Sequence, residues 1–286
     1  MSHQLVWFRN DLRVNDNPAL YHACQQGNTV SAIYIATPEQ WQKHDDAEVK
    51  IDFWRRNLEL LKNSLAELNI QLHFFQVDSY QQVPDLITII CRRWDVEQLH
   101  FNYEYPINEC LRDQHVIDSC KQIDVEYKNY HDQLLLPPGT IRTKSGTPFK
   151  VFTPFAKQAK QQLEQSLYLY PTPIKQTVIN VAALTEELQL KDITWPIVSE
   201  KIHAFWPAGE QYAFSIVANF CQKYIRDYKH NRDIPLLDGT SGLSPYLSSG
   251  IISVRQCWNA SWKYCEPNDG VYVWQNELIW REFYKH

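Results

Sequence analysis

The chain has 286 residues, 44% of them hydrophobic and 21% charged, with a net charge of −5. That length and apolar content allow one large domain or two ordinary ones, and the lack of low-complexity tracts and long charge runs argues against a disordered tail. The acidic balance argues against wholesale coating of nucleic acid, while a local basic patch stays open.

Met1-Ser2-His3-Gln4 runs straight into an apolar segment, without the cationic stretch and apolar core of a leader. The apolar runs fall short of the roughly 20 residues a membrane span needs, so the expectation is a cytoplasmic monomer without a membrane partner. Seven cysteines are scattered singly, with no C-x-x-C pair and no metal-ligand spacing. They read as free thiols, and no metal site is expected. Ten tryptophans, sixteen tyrosines and twelve phenylalanines fit an aromatic core, or a site whose position must identify it.

Gln4 to Phe8 predicts a first strand, and Asp16 to Gln26 a helix opened by Asn15 or Asp16 with Pro18 in its first turn. Val30 to Ile35 predicts a second strand. An amphipathic helix over Glu48 to Leu68 and a strand over Gln71 to Gln76 follow. The pattern repeats with a helix over Tyr80 to Trp94, a strand over Gln98 to Asn102, a helix over Ile107 to Ile123 and a strand over Val125 to Tyr130. Such alternation implies βαβ units and a Rossmann-like, doubly wound parallel sheet in residues 1–131. Ligands would then lie outside the carboxyl ends of the strands.

Residues 132–207 read as a crossover linker with a helical piece from Pro154 to about Tyr168. From 208 to 286 the periodicity is helical: Gln211 to Tyr228, Pro245 to about Gly250, Ser253 to Tyr264, and Val271 to the end. The fold class is thus α/β followed by an all-α domain. Eight glycines occur, none clustered after the first strand, so the pyrophosphate-binding G-x-G-x-x-G is missing.

Four segments carry a resemblance. Val6-Trp7-Phe8-Arg9-Asn10-Asp11-Leu12-Arg13, with Asp16-Asn17, is similar to the opening strand and turn of the DNA photolyase/cryptochrome family, closest to its bacterial class I members. Read from the residues alone, Arg9, Asp11 and Arg13 make salt bridges that fix the turn. Asn108-Glu109, after Tyr105-Pro106, resembles the pair that holds a folate antenna, with His44 on the same rim. The plain alternative is helix capping by Asn108, with Glu109 near the positive end of the dipole.

Tyr228 to Pro235, then Gly239-Thr240-Ser241-Gly242-Leu243-Ser244-Pro245, resembles the family's tyrosine-arginine segment and flavin-phosphate loop, with Gly242 where an arginine often stands. An ordinary Ser/Thr cap after a glycine turn is the alternative. Val273-Trp274-Gln275-Asn276-Glu277-Leu278-Ile279-Trp280-Arg281-Glu282-Phe283-Tyr284 is close to the family's helix between flavin and lesion. At 100° per residue Trp274, Leu278 and Arg281 share one stripe, and Glu277, Trp280 and Tyr284 the next. The alternative is a Glu277 to Arg281 ion pair beside an aromatic core stripe.

The resemblance implies a deoxyribodipyrimidine photolyase, which splits cyclobutane pyrimidine dimers in DNA by light-driven electron transfer from reduced FAD. It implies FAD contacts from Tyr228, Thr240, Ser241, Gly242, Leu243, Ser244, Trp274, Glu277 and Arg281. Lesion contacts fall to Glu277 and Trp280, and DNA contacts to Arg232 and Asn276 together with that pair. His44, Asn108 and Glu109 would hold a 5,10-methenyltetrahydrofolate antenna. It also implies that the helical FAD domain is incomplete in this chain. A cryptochrome-like photoreceptor, or a non-catalytic folate or nucleotide binder, are the other readings.

Overall fold

The computed structural model describes residues 2–25, 29–163, 166–178 and 193–286. Gln26, at the end of the first expected helix, lies outside them, as do 164–165 of the expected helical piece and 179–192 of the expected linker. The chain divides into two compact units, 1–130 with 170–209, and 131–169 with 210–286. Residues 132–207, expected as a linker, are thus shared between the two.

The first unit is built on five parallel strands, β1 (His3–Phe8), β2 (Thr29–Ala36), β3 (Gln71–Gln76), β4 (Val96–Asn102) and β5 (Glu126–Tyr130), in the order β3-β2-β1-β4-β5. Helices cover both faces, so β1 and β2 are buried along their whole length. The register places Trp7 beside Ile33 and Leu5 beside Leu99. One core face joins Leu5, Trp7, Ile33, Phe75, Ile87, Ile90, Leu99, Phe101 and Val116.

The helices are α1 (Pro18–Gln25), α2 (Pro38–Lys43), α3 (Glu48–Glu67), α4 (Val83–Arg93) and α5 (Ile107–Gln122), and later α7 (Glu200–Phe205). The helices before β3, β4 and β5 end the same way: Asn69, Asp95 and Asp124 take φ of 60°, 52° and 56°. Short polar side chains tolerate that left-handed turn, which stops each helix and aims the chain into its strand. Asn17, rather than Asn15 or Asp16, caps α1, its Oδ1 accepting from the Leu20 N–H at 3.2 Å. Asp16 instead has φ of 53°. The short α2 and α7 have no full amphipathic period and are additions to the sequence pattern.

In the second unit, α6 (Phe152–Gln162) ends earlier than Tyr168 because Leu163 turns extended, at φ −86° and ψ 118°. The helices α8 (Glu210–Lys223), α9 (Tyr228–Asn231), α10 (Ser244–Ser248), α11 (Val254–Lys263) and α12 (Asp269–Phe283) follow. Asn268 caps α12, accepting from the Val271 N–H at 3.2 Å. At Gly270 a Cβ would lie 2.1 Å from the Ile225 carbonyl oxygen, so only glycine lets α12 pass so close to that backbone. Among the described residues no helix is long and apolar enough to cross a membrane. No group of three or more His, Cys, Asp or Glu among them could hold a metal ion.

Candidate functional site

The order of the strands reverses beside β1, and the crevice outside β1 and β4 is where such a sheet would take a ligand. Here it is filled with protein charge. Arg9 lies over Trp7 at 4.2 Å, pairs with Asp113 at 3.2 Å and donates to the Asn102 carbonyl. Arg112 pairs with Glu104 and Asp113, both at 2.7 Å, and Asn10 donates to Glu104. Burial alone would raise the Glu104 carboxyl, but Arg112, Arg9 and the Asn10 hydrogen bond outweigh it and hold it below its usual range. In the β1 turn itself, charged side chains tie the backbone together. Asp11 accepts from the Arg9 N–H at 2.7 Å, Arg13 donates to the Asn15 and Asp16 carbonyls, and the Arg9 guanidinium reaches across to α5.

Next to this network lies a cleft of about 300 Å³, lined by Gln40, Lys43, His44, Tyr80, Gln81, Asn108, Leu111, Arg112 and His115. Pro38 starts α2 directly after β2, which brings Gln40 and His44 round to the first turn of α5. The Gln40 side-chain nitrogen is 2.7 Å from His44 Nε2, and the Asn108 side-chain nitrogen 3.4 Å from the same atom. Two side-chain amides from different elements thus converge on one ring nitrogen. Asn108 makes no cap: Pro106 is the N-cap residue of α5, without a side-chain cap hydrogen bond.

Glu109 stands behind the wall. Its Oε1 accepts from the Tyr80 hydroxyl at 3.1 Å, and its buried Oε2 has no partner. Burial pushes the Tyr80 phenol well above its usual range, so it remains a donor. A buried carboxylate oxygen without a donor is costly. His44 and Asn108 thus meet on one rim, with Glu109 one layer deeper through Tyr80, a residue the sequence reading did not single out.

In the second unit, α12 buries Val271, Trp274, Gln275, Leu278, Ile279 and Glu282. Trp274 packs on Phe220 with centroids 5.4 Å apart, and Gln275 donates to the Ser261 hydroxyl at 2.8 Å. Both faces expected of α12 are present, but the inner one is interior. Glu277 sits half-buried on the outer side and is ion-paired with Arg232 rather than with Arg281. Arg281 donates to the Gln133 carbonyl instead. Arg232 also lies 5.4 Å over the Tyr228 ring, and Tyr228, itself buried, packs edge-on against Phe220. Burial, then the nearby Glu277, raises the Tyr228 phenol.

One helical turn after Glu277, Trp280 stacks on Phe152, with centroids 3.5 Å apart and an interplanar angle of 5°. Asn276 is half-buried on the same helix. Along the loop to α10, Thr240 and Ser244 are exposed, Ser241 half-buried and Leu243 buried. Leu243 is the N-cap position of α10 and no side chain caps it, so the expected Ser/Thr cap does not form. Gly242 has φ of 62° with open space around it, and a Cβ on Gly239 would meet the Asn231 carbonyl oxygen at 2.6 Å. An arginine at Gly242 would sit in a backbone conformation that glycine adopts without strain.

Two residues here escaped sequence reasoning. Phe152 is 128 positions from Trp280, and nothing local joins them. Glu282 is buried, and its Oε2 accepts from the N–H groups of Leu135 and Leu136 at 2.8 and 3.2 Å. Burial pushes its carboxyl up to about 7, against the opposing pull of those two N–H groups. The signal was available: Glu282 continues the inner row of Gln275, Leu278 and Ile279.

Residues 4–176 match the DNA photolyase family. A deoxyribodipyrimidine photo-lyase of Vibrio cholerae is 36% identical over 293 aligned positions, covering 99% of this chain and 61% of the relative. The chain spans about three fifths of the length of such curated photo-lyases. An uncharacterized 31.6 kDa protein of Synechococcus sp. (strain PCC 6716) is 30% identical, and the match covers 98% of each chain. In three dimensions a class III photolyase from Agrobacterium tumefaciens superposes with a TM-score of 0.80 at 24% identity, over 99% of this chain and 58% of that one.

Proposed function

The chain belongs to the DNA photolyase family, and from that premise we propose that it binds DNA at cyclobutane pyrimidine dimers and repairs them in light, with FAD as cofactor. The observation that carries this is the half-buried Arg232–Glu277 pair one helical turn from Trp280. A carboxylate so placed can exchange a guanidinium for the N3–H donors of two damaged bases, and the released Arg232 can take the phosphate beside them. Asn276 lies on the same helix for the flanking nucleotide. Trp280, within an aromatic cluster of Phe152, Phe283 and Tyr284, would give the extruded bases an aromatic wall, and their lost stacking lowers the cost of extrusion.

Thr240, Ser241 and Ser244 supply hydroxyl donors for the flavin diphosphate, and Gly242 and Leu243 shape the loop that presents them. Tyr228 braces Arg232 beside that loop. Trp274 and Arg281, engaged with Phe220 and the Gln133 carbonyl, fix the inner side of α12. Reduced FAD, when bound, would lend the electron that opens the cyclobutane ring and regain it as the two bases separate. Glu277 would hold the bases through their N3–H groups as charge develops on their carbonyls. In the first unit, His44, Asn108 and the unsatisfied Oε2 of Glu109 suit a folate antenna such as 5,10-methenyltetrahydrofolate.

Competition binding in the dark tests the lesion contacts. The chain should prefer a duplex with one thymine dimer to the undamaged duplex. Glu277→Gln and Trp280→Ala should each reduce that preference about tenfold, as loss of a charged hydrogen bond or a base-stacking wall predicts. Equal affinity of the unaltered chain for both duplexes would refute the reading.

A further inference from the structure

Between Asp132 and Glu164 the sequence holds five cations, Arg142, Lys144, Lys150, Lys157 and Lys160, and no acidic residue, in a chain of net charge −5. All five are exposed, and among the described residues no ion pair is formed by Arg142, Lys144, Lys150 or Lys157. The segment belongs to the second unit and runs directly into Phe152, the residue stacked on Trp280.

Its first part is a braced turn rather than a loose tether. The Thr143 N–H donates to the Thr147 carbonyl and the Gly146 N–H to the Thr143 carbonyl, both at 2.9 Å. The hydroxyls of Thr143, Ser145 and Thr147 lie 2.8 to 3.3 Å from one another. Arg142 ties the two arms by donating to the Gly139 and Gly146 carbonyls, both at 2.9 Å. Gly146 takes φ of 80° and closes the turn. Lys144 stands in the tip and Lys150 two residues before Phe152.

We propose that this turn is a second DNA contact, in which Lys144 and Lys150, with the Thr143, Ser145 and Thr147 hydroxyls, hold backbone phosphates of the strand that carries the lesion. The proposal rests on the repair reading above and adds a partner surface to it. Ammonium groups and hydroxyls are the usual backbone ligands, and they position a duplex without reading its sequence. Pre-bracing by Arg142 reduces the ordering cost on binding. An anionic membrane would also attract lysines, but the continuity with the Phe152–Trp280 stack favours a strand that passes both.

The test is the salt dependence of binding for the unaltered chain, for Lys144→Gln/Lys150→Gln, and for Lys121→Gln/Lys128→Gln, which removes the same charge from the first unit. Loss of two phosphate contacts should lower the slope of log affinity against log salt by about 2 and weaken binding about tenfold or more at roughly 0.1 M salt. The loss should be equal on damaged and undamaged duplex, leaving the preference for the dimer intact, and the control pair should match the unaltered chain. If the unaltered chain prefers the dimer but the turn variant keeps its slope, the turn proposal alone is overturned. If the unaltered chain binds neither duplex, both the turn and the repair reading fall. A loss confined to vesicles of phosphatidylserine, with DNA binding unchanged, also overturns it.

Discussion

One arginine and carboxylate network in the first unit and one pair in the second differ in what surrounds them. In the first unit Arg9, Arg112, Glu104 and Asp113 are at most about 7% exposed in their side chains. They lie against Trp7, Phe101 and Tyr80. In the second unit Arg232 and Glu277 are 30% and 36% exposed. Charges removed from water have no alternative partner and can only hold the fold. A pair that keeps contact with water can change partners at small cost, which is what binding at Glu277 and Arg232 requires.

That contrast is broken most severely at Arg112. Arg112→Ala leaves Glu104 and Asp113 buried without their main partner and should cost about 3–5 kcal/mol in denaturant unfolding of the first unit. A loss below about 1 kcal/mol would show that the network is dispensable. Acid should act on the same unit through its histidines. Burial lowers His73 to about 4 and His100 to about 3. With folded values below the ordinary 6.5, the unfolded chain binds more protons in between, so stability is complete above about 6.5 and is lost as pH falls toward 4. The slope is about 1.4 kcal/mol per pH unit for each ring. Hydrogen exchange of β3 and β4 amides at a series of pH values measures it, and a flat profile from 7 to 5 would contradict it.

The second unit should respond with the opposite sign. The Glu282 carboxyl is raised from 4.5 to about 7, so the folded state holds its proton after the unfolded chain has lost it. Stability from this group is present below about 4.5 and declines as pH rises to about 7. Glu282→Gln should abolish the decline, worth about 3 kcal/mol, in exchange of the amides at Leu135 and Leu136. The smallest effect on folding is expected at Arg232. Arg232→Ala should cost less than about 1 kcal/mol of stability, yet weaken binding of dimer-containing DNA, the reverse of Arg112→Ala.

The first unit was largely legible because a parallel sheet writes itself in short apolar runs: β3 fell where expected and β1, β2, β4 and β5 within about two residues. Boundaries drifted where a local interaction won. Asn17 displaced its neighbours as cap because its Oδ1 reaches the Leu20 N–H, and α6 stopped at Leu163 where the chain turns extended. The candidate sites were legible as residue types and not as partnerships. Arg232 and Glu277 are 45 positions apart in sequence, and local spacing pointed to Arg281, which instead serves the Gln133 carbonyl. Tyr80, which joins Glu109 to the cleft, and Phe152, which backs Trp280, depend on packing between distant segments and leave no periodic trace.

The central claim is that the half-buried pair of Arg232 and Glu277 is a repair site. The direct measurement supplies the purified chain with reduced FAD and a thymine-dimer oligonucleotide, and compares restoration of thymines under blue light with darkness. The account predicts light-dependent restoration by the unaltered chain, reduced in Glu277→Gln with flavin content unchanged. Equal amounts of thymine in light and darkness, with flavin supplied and the duplex bound, would contradict it.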